Sequence, residues 1–337
     1  MKITVLLVLL FSAALNGQHS NFAQINFKKA DSIAAYYKGA SLANLPVLTH
    51  NLTRALETDV EKFRAIYTWV GTNIQNDYSS YTKTIKKRKK LAKDEDALAK
   101  WNAEATPKVF KNLLKYKKTA CTGYAYLIRE LAALADINCN IINGYGRTAN
   151  TTLSDKSIPN HSWNAVELDG KWYLCDPTWS AGRILLDDDG PRFESDYFDG
   201  YFLAEPSLFI KNHFPLDTKW SLMSDTPNFQ TFLDGPVVYK EAFKSTIIPT
   251  APLEMHLETI KNKPFSFTIS SVNAIENESI VLVLKNGNSS ESVRPLVEQN
   301  KNSYELQHSF EKSGSYDVHV KVNDNLIATY VIRVKRK

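Results

Sequence analysis

Three side chains that together can perform nucleophilic thiol chemistry occur in order along the 337-residue chain: Cys121, His161 and Asp176. A thiol becomes an effective nucleophile when an imidazole takes its proton and a carboxylate orients that imidazole. Cys121 lies in Ala120-Cys121-Thr122-Gly123-Tyr124-Ala125, where an apolar helical pattern begins. Tyr124, Ala125, Ile128, Leu131 and Ala132 follow at helical intervals, which predicts Cys121 in a first turn, facing inward. The positive end of the helix dipole there lowers a thiol's pKa.

The other two residues belong to a predicted hairpin. Asn164–Leu168 and Lys171–Cys175 read as strands around Asp169-Gly170, a strong two-residue turn signal. Pairing Leu168 with Lys171 sets His161 opposite Thr178 and Asp176 opposite Trp163. The period of two then gives His161 and Asp176 one face as diagonal neighbours, about 7–8 Å apart by Cα. A one-residue slip would separate them. This register also predicts both side chains towards the Cys121 helix, with Tyr173 and Cys175 on the opposite face. Singly, each residue has a plainer reading: a packed helical thiol, a hydrogen-bonded strand histidine, a turn-starting aspartate. The joint placement favours the triad.

Three stretches carry a family resemblance: Ala120–Ala125, His161-Ser162-Trp163-Asn164, and Trp172-Tyr173-Leu174-Cys175-Asp176-Pro177-Thr178-Trp179. With the later runs Tyr201–Pro206, His213-Phe214-Pro215 and Trp220-Ser221-Leu222, the chain resembles the transglutaminase-like superfamily of papain-like thiol enzymes over roughly residues 57–225. Those later runs look like the branch of it that includes the kyphoscoliosis peptidase. The resemblance implies an α+β core, with a Cys-bearing helix packed on an antiparallel sheet bearing His and Asp. It implies catalytic Cys121, His161 and Asp176. It does not fix the reaction, because the superfamily includes cross-linkers, peptidases, amidases and inactive members. Hydrolysis of amides through a thioester is the leading expectation. Transamidation, or a non-catalytic protein- or glycan-binding module, are the alternatives. The Cys121 amide is a candidate oxyanion donor, with Tyr78 or Asn76 as the side-chain donor. Trp163 and Trp179 are candidate cleft walls, although core packing is their plainer role.

Composition sets the surroundings. The length suits two or three domains, and 43% hydrophobic residues with 11% aromatics exclude wholesale disorder. Net charge is +5, much of it in Lys83, Lys86, Lys87, Arg88, Lys89, Lys90 and Lys93, a run without acids that reads as a solvated face. No aromatic-interleaved basic groove points to nucleic acid. Residues 1–17 have a basic start and a short apolar stretch, a secretory signal that predicts a periplasmic, secreted or surface-associated protein. No segment is long enough for a transmembrane helix. Of the three cysteines, Cys139 and Cys175 fall on strands flanking the His161 strand, about 9–10 Å apart, too far for a disulfide. There is no Cys-x-x-Cys pair and no His cluster at metal-ligand spacing, so neither metal nor cofactor is expected. Gly144-Tyr145-Gly146 mimics a dinucleotide fingerprint but lacks the required helix after it. Asp187-Asp188-Asp189-Gly190 reads as a turn. The expected substrate is a protein, peptide or cell-envelope amide.

Organisation follows the patterning. Residues 18–56 are helical but broken at Gly39 and Pro46, and Thr58–Glu61 forms a capping box that opens a helix. Residues 79–106 are weakly patterned and predict a mobile insertion, with a short helix from Thr106-Pro107 to Tyr116. The catalytic unit is expected at 57–225. An all-β, immunoglobulin-like sandwich is expected at 236–337, folding separately, from runs such as Phe265–Ile269, Ile280–Leu284 and Tyr316–Val322.

Overall fold

The capping box forms as expected and starts the helix Asp59–Asn73: Glu61 N donates to Thr58 Oγ1 (3.4 Å) and Thr58 N to Glu61 Oε2 (3.1 Å). The computed structural model describes residues 21–336 except Ala23 and Asp189, so the expected signal segment lies outside the described residues. Val60, Phe63, Ile66, Tyr67, Trp69 and Val70 are all buried, because the helix is covered on several sides. The N-terminal helices Lys28–Tyr36 and Leu45–Thr53 pack on it, as does the cysteine helix, Cys121–Ala133. Arg64 locks this assembly: its guanidinium binds both oxygens of Asp31 (2.7 and 3.0 Å) and reaches Asp199 (3.0 Å). Such bidentate pairing fixes direction as well as distance.

Residues 79–106 are not an irregular insertion. They belong to a helical hairpin, Tyr78–Leu91 and Glu95–Tyr116, N-capped by Asp77 and Asp94, whose side chains accept from Ser80 N and Ala97 N. Pro107 sits inside the second helix rather than starting one. The pattern looked weak because the first helix buries no residue fully and the second only Leu113, so large aliphatic residues are not required.

The central sheet is antiparallel, in the order Lys171–Cys175, His161–Leu168, Cys139–Gly146, His213–Pro215. Leu168 pairs with Lys171 and Asn164 with Cys175, the register expected from sequence. Asp169 (φ 50°) and Gly170 (φ 71°) occupy the turn, both left-handed as a type I′ turn requires. Cys139 and Cys175 stand on the two strands flanking His161–Leu168, and all three cysteines are free.

One expectation is overturned here. Tyr173 and Cys175 pack with Val166 and Leu168 in the same core as Tyr124, Leu127, Ile128 and Leu131 of the cysteine helix. By alternation, His161 lies on the other face with Trp163 and Ala165, which pack in a second core with Ile142 and Leu174. His161 and Asp176 do share a face, but not the one the helix covers. The helix and strand meet elsewhere: Cys121 is the first residue of its helix and His161 the first of its strand, so they come together at the end of the sheet.

The second core continues into the C-terminal region, joining Trp163 and Leu174 to Phe243, Phe267, Val320 and Tyr330. That region is all-β. One sheet contains Ile247–Ala251, Pro264–Ser271, Ser303–Ser309 and Leu296–Asn300. The other contains His256–Ile260, Asn325–Lys335, Gly314–Val322, Ile280–Asn286 and Ser289–Val293, with Val237–Val238 added at Asn325–Lys335. Two sheets with inward alternation make a sandwich, and this one buries part of its surface against the histidine face.

Candidate functional site

Asp176 ends the hairpin and caps the short helix Pro177–Ala181. Its Oδ1 accepts from Thr178 N (2.8 Å) and Trp179 N (3.2 Å). Its Oδ2 accepts from His161 Nε2 (2.7 Å) and lies 3.0 Å from His213 Nε2. The backbone is held as firmly: Tyr67 Oη donates to the Asp176 carbonyl (2.8 Å), and the Asp176 amide donates to Tyr201 O (3.2 Å). Turn-starting and imidazole-orienting, offered as alternatives by the sequence, are therefore one arrangement. Burial disfavours the charged carboxylate, but His161 and His213 outweigh it and hold Asp176 well below the usual carboxylate range.

His161 has Nε2 on Asp176, and the Cys121 thiol is close enough to act on the charge of its ring. Burial opposes the imidazolium, yet the Asp176 charge and hydrogen bond, with Cys121, push its pKa up to about 10. For Cys121, burial raises the thiol pKa, but the His161 hydrogen bond and charge and the Ser162 N–H bring it below the ordinary value. Both shifts run in the direction of a thiolate–imidazolium pair. The other thiols differ: burial pushes Cys139 up to about 12 and holds Cys175 well above its ordinary value.

Neighbouring residues fix this geometry. Asn160 exchanges two hydrogen bonds with the Gly146 backbone (2.7 and 2.9 Å), setting the residue before His161. A Cβ on Gly146 would lie 3.0 Å from His161 Cβ and Cγ, and one on Gly144 would lie 2.1 Å from Phe214 O. The Gly-x-Gly motif thus makes room for the imidazole and a neighbouring strand. Gly123 is equally constrained, since a Cβ there would meet Thr119 Oγ1 at 1.9 Å. Trp179 stacks on His161 (5.1 Å between centroids, 28°) and shields the His161–Asp176 bond. Trp163, at 1% exposure, is a core residue beyond a substrate's reach.

His213 was quoted in the sequence without a role. It is fully buried, stacked on Phe209 (3.9 Å, 18°), with Nδ1 2.6 Å from the Asn212 side chain. Burial brings its pKa down to about 4 despite Asp176. The atom placed there is Asn212 Oδ1; a neutral His213 that donates from Nε2 accepts at Nδ1, which calls for the other orientation of the carboxamide, equal to this one in shape. His161, Asp176 and His213 bring ligand-type atoms within 4.8 Å of one another, a convergence the spacing rule missed because His213 lies 37 positions from Asp176. Both imidazoles meet one oxygen at hydrogen-bond distance, as a proton-holding set does.

Cys121 opens into a cavity of about 230 Å³ roofed by the helical hairpin. Tyr81, Arg88, Trp101 and Tyr126 line it, with Asn160 beside Cys121. Tyr78 and Asn76 do not line it. Tyr78 packs on Tyr81, and Asn76 pairs with Thr119 in a two-strand ladder. The Tyr81 hydroxyl is pushed up to about 12 by burial, with nearby Cys121 contributing.

A helix that opens at a buried cysteine, a strand that opens at a histidine and an aspartate at the end of the hairpin make a transglutaminase-like core. Residues 46–177 match the family model described as the transglutaminase-like superfamily, and the chain carries a domain of that superfamily. The kyphoscoliosis peptidase of Homo sapiens is 28% identical over 284 residues, covering 80% of this chain and 39% of that protein. Hillarin of Drosophila melanogaster is 26% identical over 232 residues, covering 65% of this chain and 26% of that protein. The chain thus spans well under half the length of the curated relatives it matches. The Lin-41 filamin domain overlies 31% of the chain at 12% identity and a TM-score of 0.23, covering 99% of that structure.

Proposed function

We propose that this protein is a thiol-dependent amide hydrolase acting on protein or peptide substrates outside the cytoplasm. The observation that carries the reading is the buried His161–Asp176 pair, Nε2 to Oδ2 at 2.7 Å, beside a Cys121 thiol whose pKa His161 lowers. His161 Nδ1 takes the Cys121 proton, and Sγ attacks the amide carbonyl. The resulting tetrahedral oxyanion is met by the Cys121 amide, which a helix start leaves without an intrahelical acceptor. Tyr81, which lines the cavity, is a better-placed side-chain donor than Tyr78 or Asn76. Nδ1–H then protonates the leaving amine, giving a thioester. Water, deprotonated by His161, cleaves the thioester to the acid and restores the thiol. Asp176 keeps the imidazole oriented and stabilises its charge, without taking a proton. The signal-like start of the sequence supports an extracytoplasmic location, and the name of the peptidase relative supports hydrolysis.

The test is product analysis of a peptide pool with and without an added primary amine. Hydrolysis predicts Cys121-dependent amine release with a free acid product in both conditions. Incorporation of the added amine would mean transamidation instead. Saturable binding that survives Cys121→Ala, with no product from the parent protein, would mean a non-catalytic module.

A further inference from the structure

The helix Tyr78–Leu91 buries no residue fully, yet Tyr81, Thr84, Ile85 and Arg88 recur at the spacing of one helical face. That face is turned to the cavity at Cys121. From the second helix, Trp101, Asn102, Ala105 and Val109 line the opposite side. The hairpin is therefore built to wall a pocket rather than to fill a core.

Arg88 is the charged group best placed within it. Its Nε donates to Asn102 Oδ1 (3.3 Å), which fixes the plane of the guanidinium and leaves the other N–H groups to bind elsewhere. Among the described residues, no acidic side chain forms an ion pair with Arg88. Asp77, the acid lining the cavity, is already engaged by Ser79 Oγ, Ser80 Oγ and Ser80 N at 2.7–3.0 Å. Lys118 adds a second positive charge to the lining. On the outer faces of the same helix, Lys83, Lys86, Lys87, Lys89 and Lys90 are exposed, so this helix carries a strongly positive surface. Guanidinium is the side chain that recognises carboxylate bidentately, and clustered like charge raises the on-rate of an opposite partner.

We infer that the hairpin forms a substrate subsite for acidic polypeptide segments, in which Arg88 binds a carboxylate side chain close to the amide presented to Cys121. The aromatic rings of Tyr81 and Trp101 hold the aliphatic part of that side chain. This rests on the proposed thiol chemistry for its meaning, but the subsite can be tested without turnover. Cys121→Ala protein is titrated with a fluorescein-labelled glutamate-rich peptide and with the same peptide carrying glutamine at each glutamate. The acidic peptide should bind at least about tenfold tighter at low salt, an advantage that shrinks as salt screens it. Arg88→Gln should remove most of the preference, and Arg88→Lys should keep part of it by keeping the charge. Lys86→Gln with Lys90→Gln should weaken the salt dependence while leaving the preference largely intact. Equal affinity for the two peptides, or an unchanged ratio in Arg88→Gln, would overturn the subsite. Product assays on the parent protein judge the thiol chemistry separately: cleavage of both peptides alike would leave that chemistry standing and the subsite refuted.

Discussion

His161 and His213 meet the same oxygen of Asp176, at 2.7 and 3.0 Å, yet their pKa values are driven apart, to about 10 and about 4. Asp176 faces both rings, but Cys121 also raises the His161 value. His213 lies among Phe209, Trp163, Trp179 and Tyr201 with no anion beyond Asp176. One imidazole is thereby biased towards its charged form, while the other is biased towards neutral and anchors the carboxylate.

Acid sensitivity follows from His213. Its folded value lies below its unfolded value near 6.5, so its contribution to stability is complete above about pH 6.5 and declines as pH falls towards 4. The loss should reach on the order of 3 kcal/mol over that window. Denaturant unfolding of the native protein should show this slope, and His213→Gln, less stable at neutral pH, should show a shallower one. Parallel slopes would refute the neutral assignment.

Gly146→Ala tests the room made for the imidazole. A methyl group 3.0 Å from two His161 atoms must displace the ring while leaving the strand pairing intact. Misplacement of this kind should cost tenfold or more in Cys121 reactivity, roughly what sub-ångström errors cost in other sites. Circular dichroism should remain native. Unchanged reactivity would mean that the ring's position is not critical.

Cys121→Ala, His161→Ala and their combination should lose similar amounts of turnover, because residues acting as one device are not additive. Purely multiplicative losses would argue for independent roles.

Much of this site was legible from local rules. The Asp169-Gly170 turn fixes the register, and the register gives His161 and Asp176 a common face. The capping box at Thr58 and the helix start at Cys121 are equally local. What was not legible depends on the third dimension. The face that the cysteine helix covers is decided by packing of Tyr173 and Cys175 against it, a choice the alternation leaves open. His213 arrives from an edge strand with no spacing signal. The hairpin over residues 78–116 lacked an apolar stripe because its inner face lines a cavity. Its Asp77 and Asp94 caps were the available signal.

The central claim, an ion pair between Cys121 and His161, is tested most directly by the pH dependence of iodoacetamide alkylation, followed by mass spectrometry. Cys121 lies below the ordinary thiol value and His161 near 10, so the thiolate persists as pH falls and is lost only on crossing the lowered Cys121 value. Alkylation of the folded protein should stop at one group, on Cys121, because Cys139 and Cys175 are held protonated. Its rate should stay nearly flat through the region around pH 8.5 where denatured thiols titrate, and His161→Gln should move the inflection up to that region or beyond. A native rate that simply follows the denatured control, unaltered by His161→Gln, would contradict the pair and the thiol chemistry built on it.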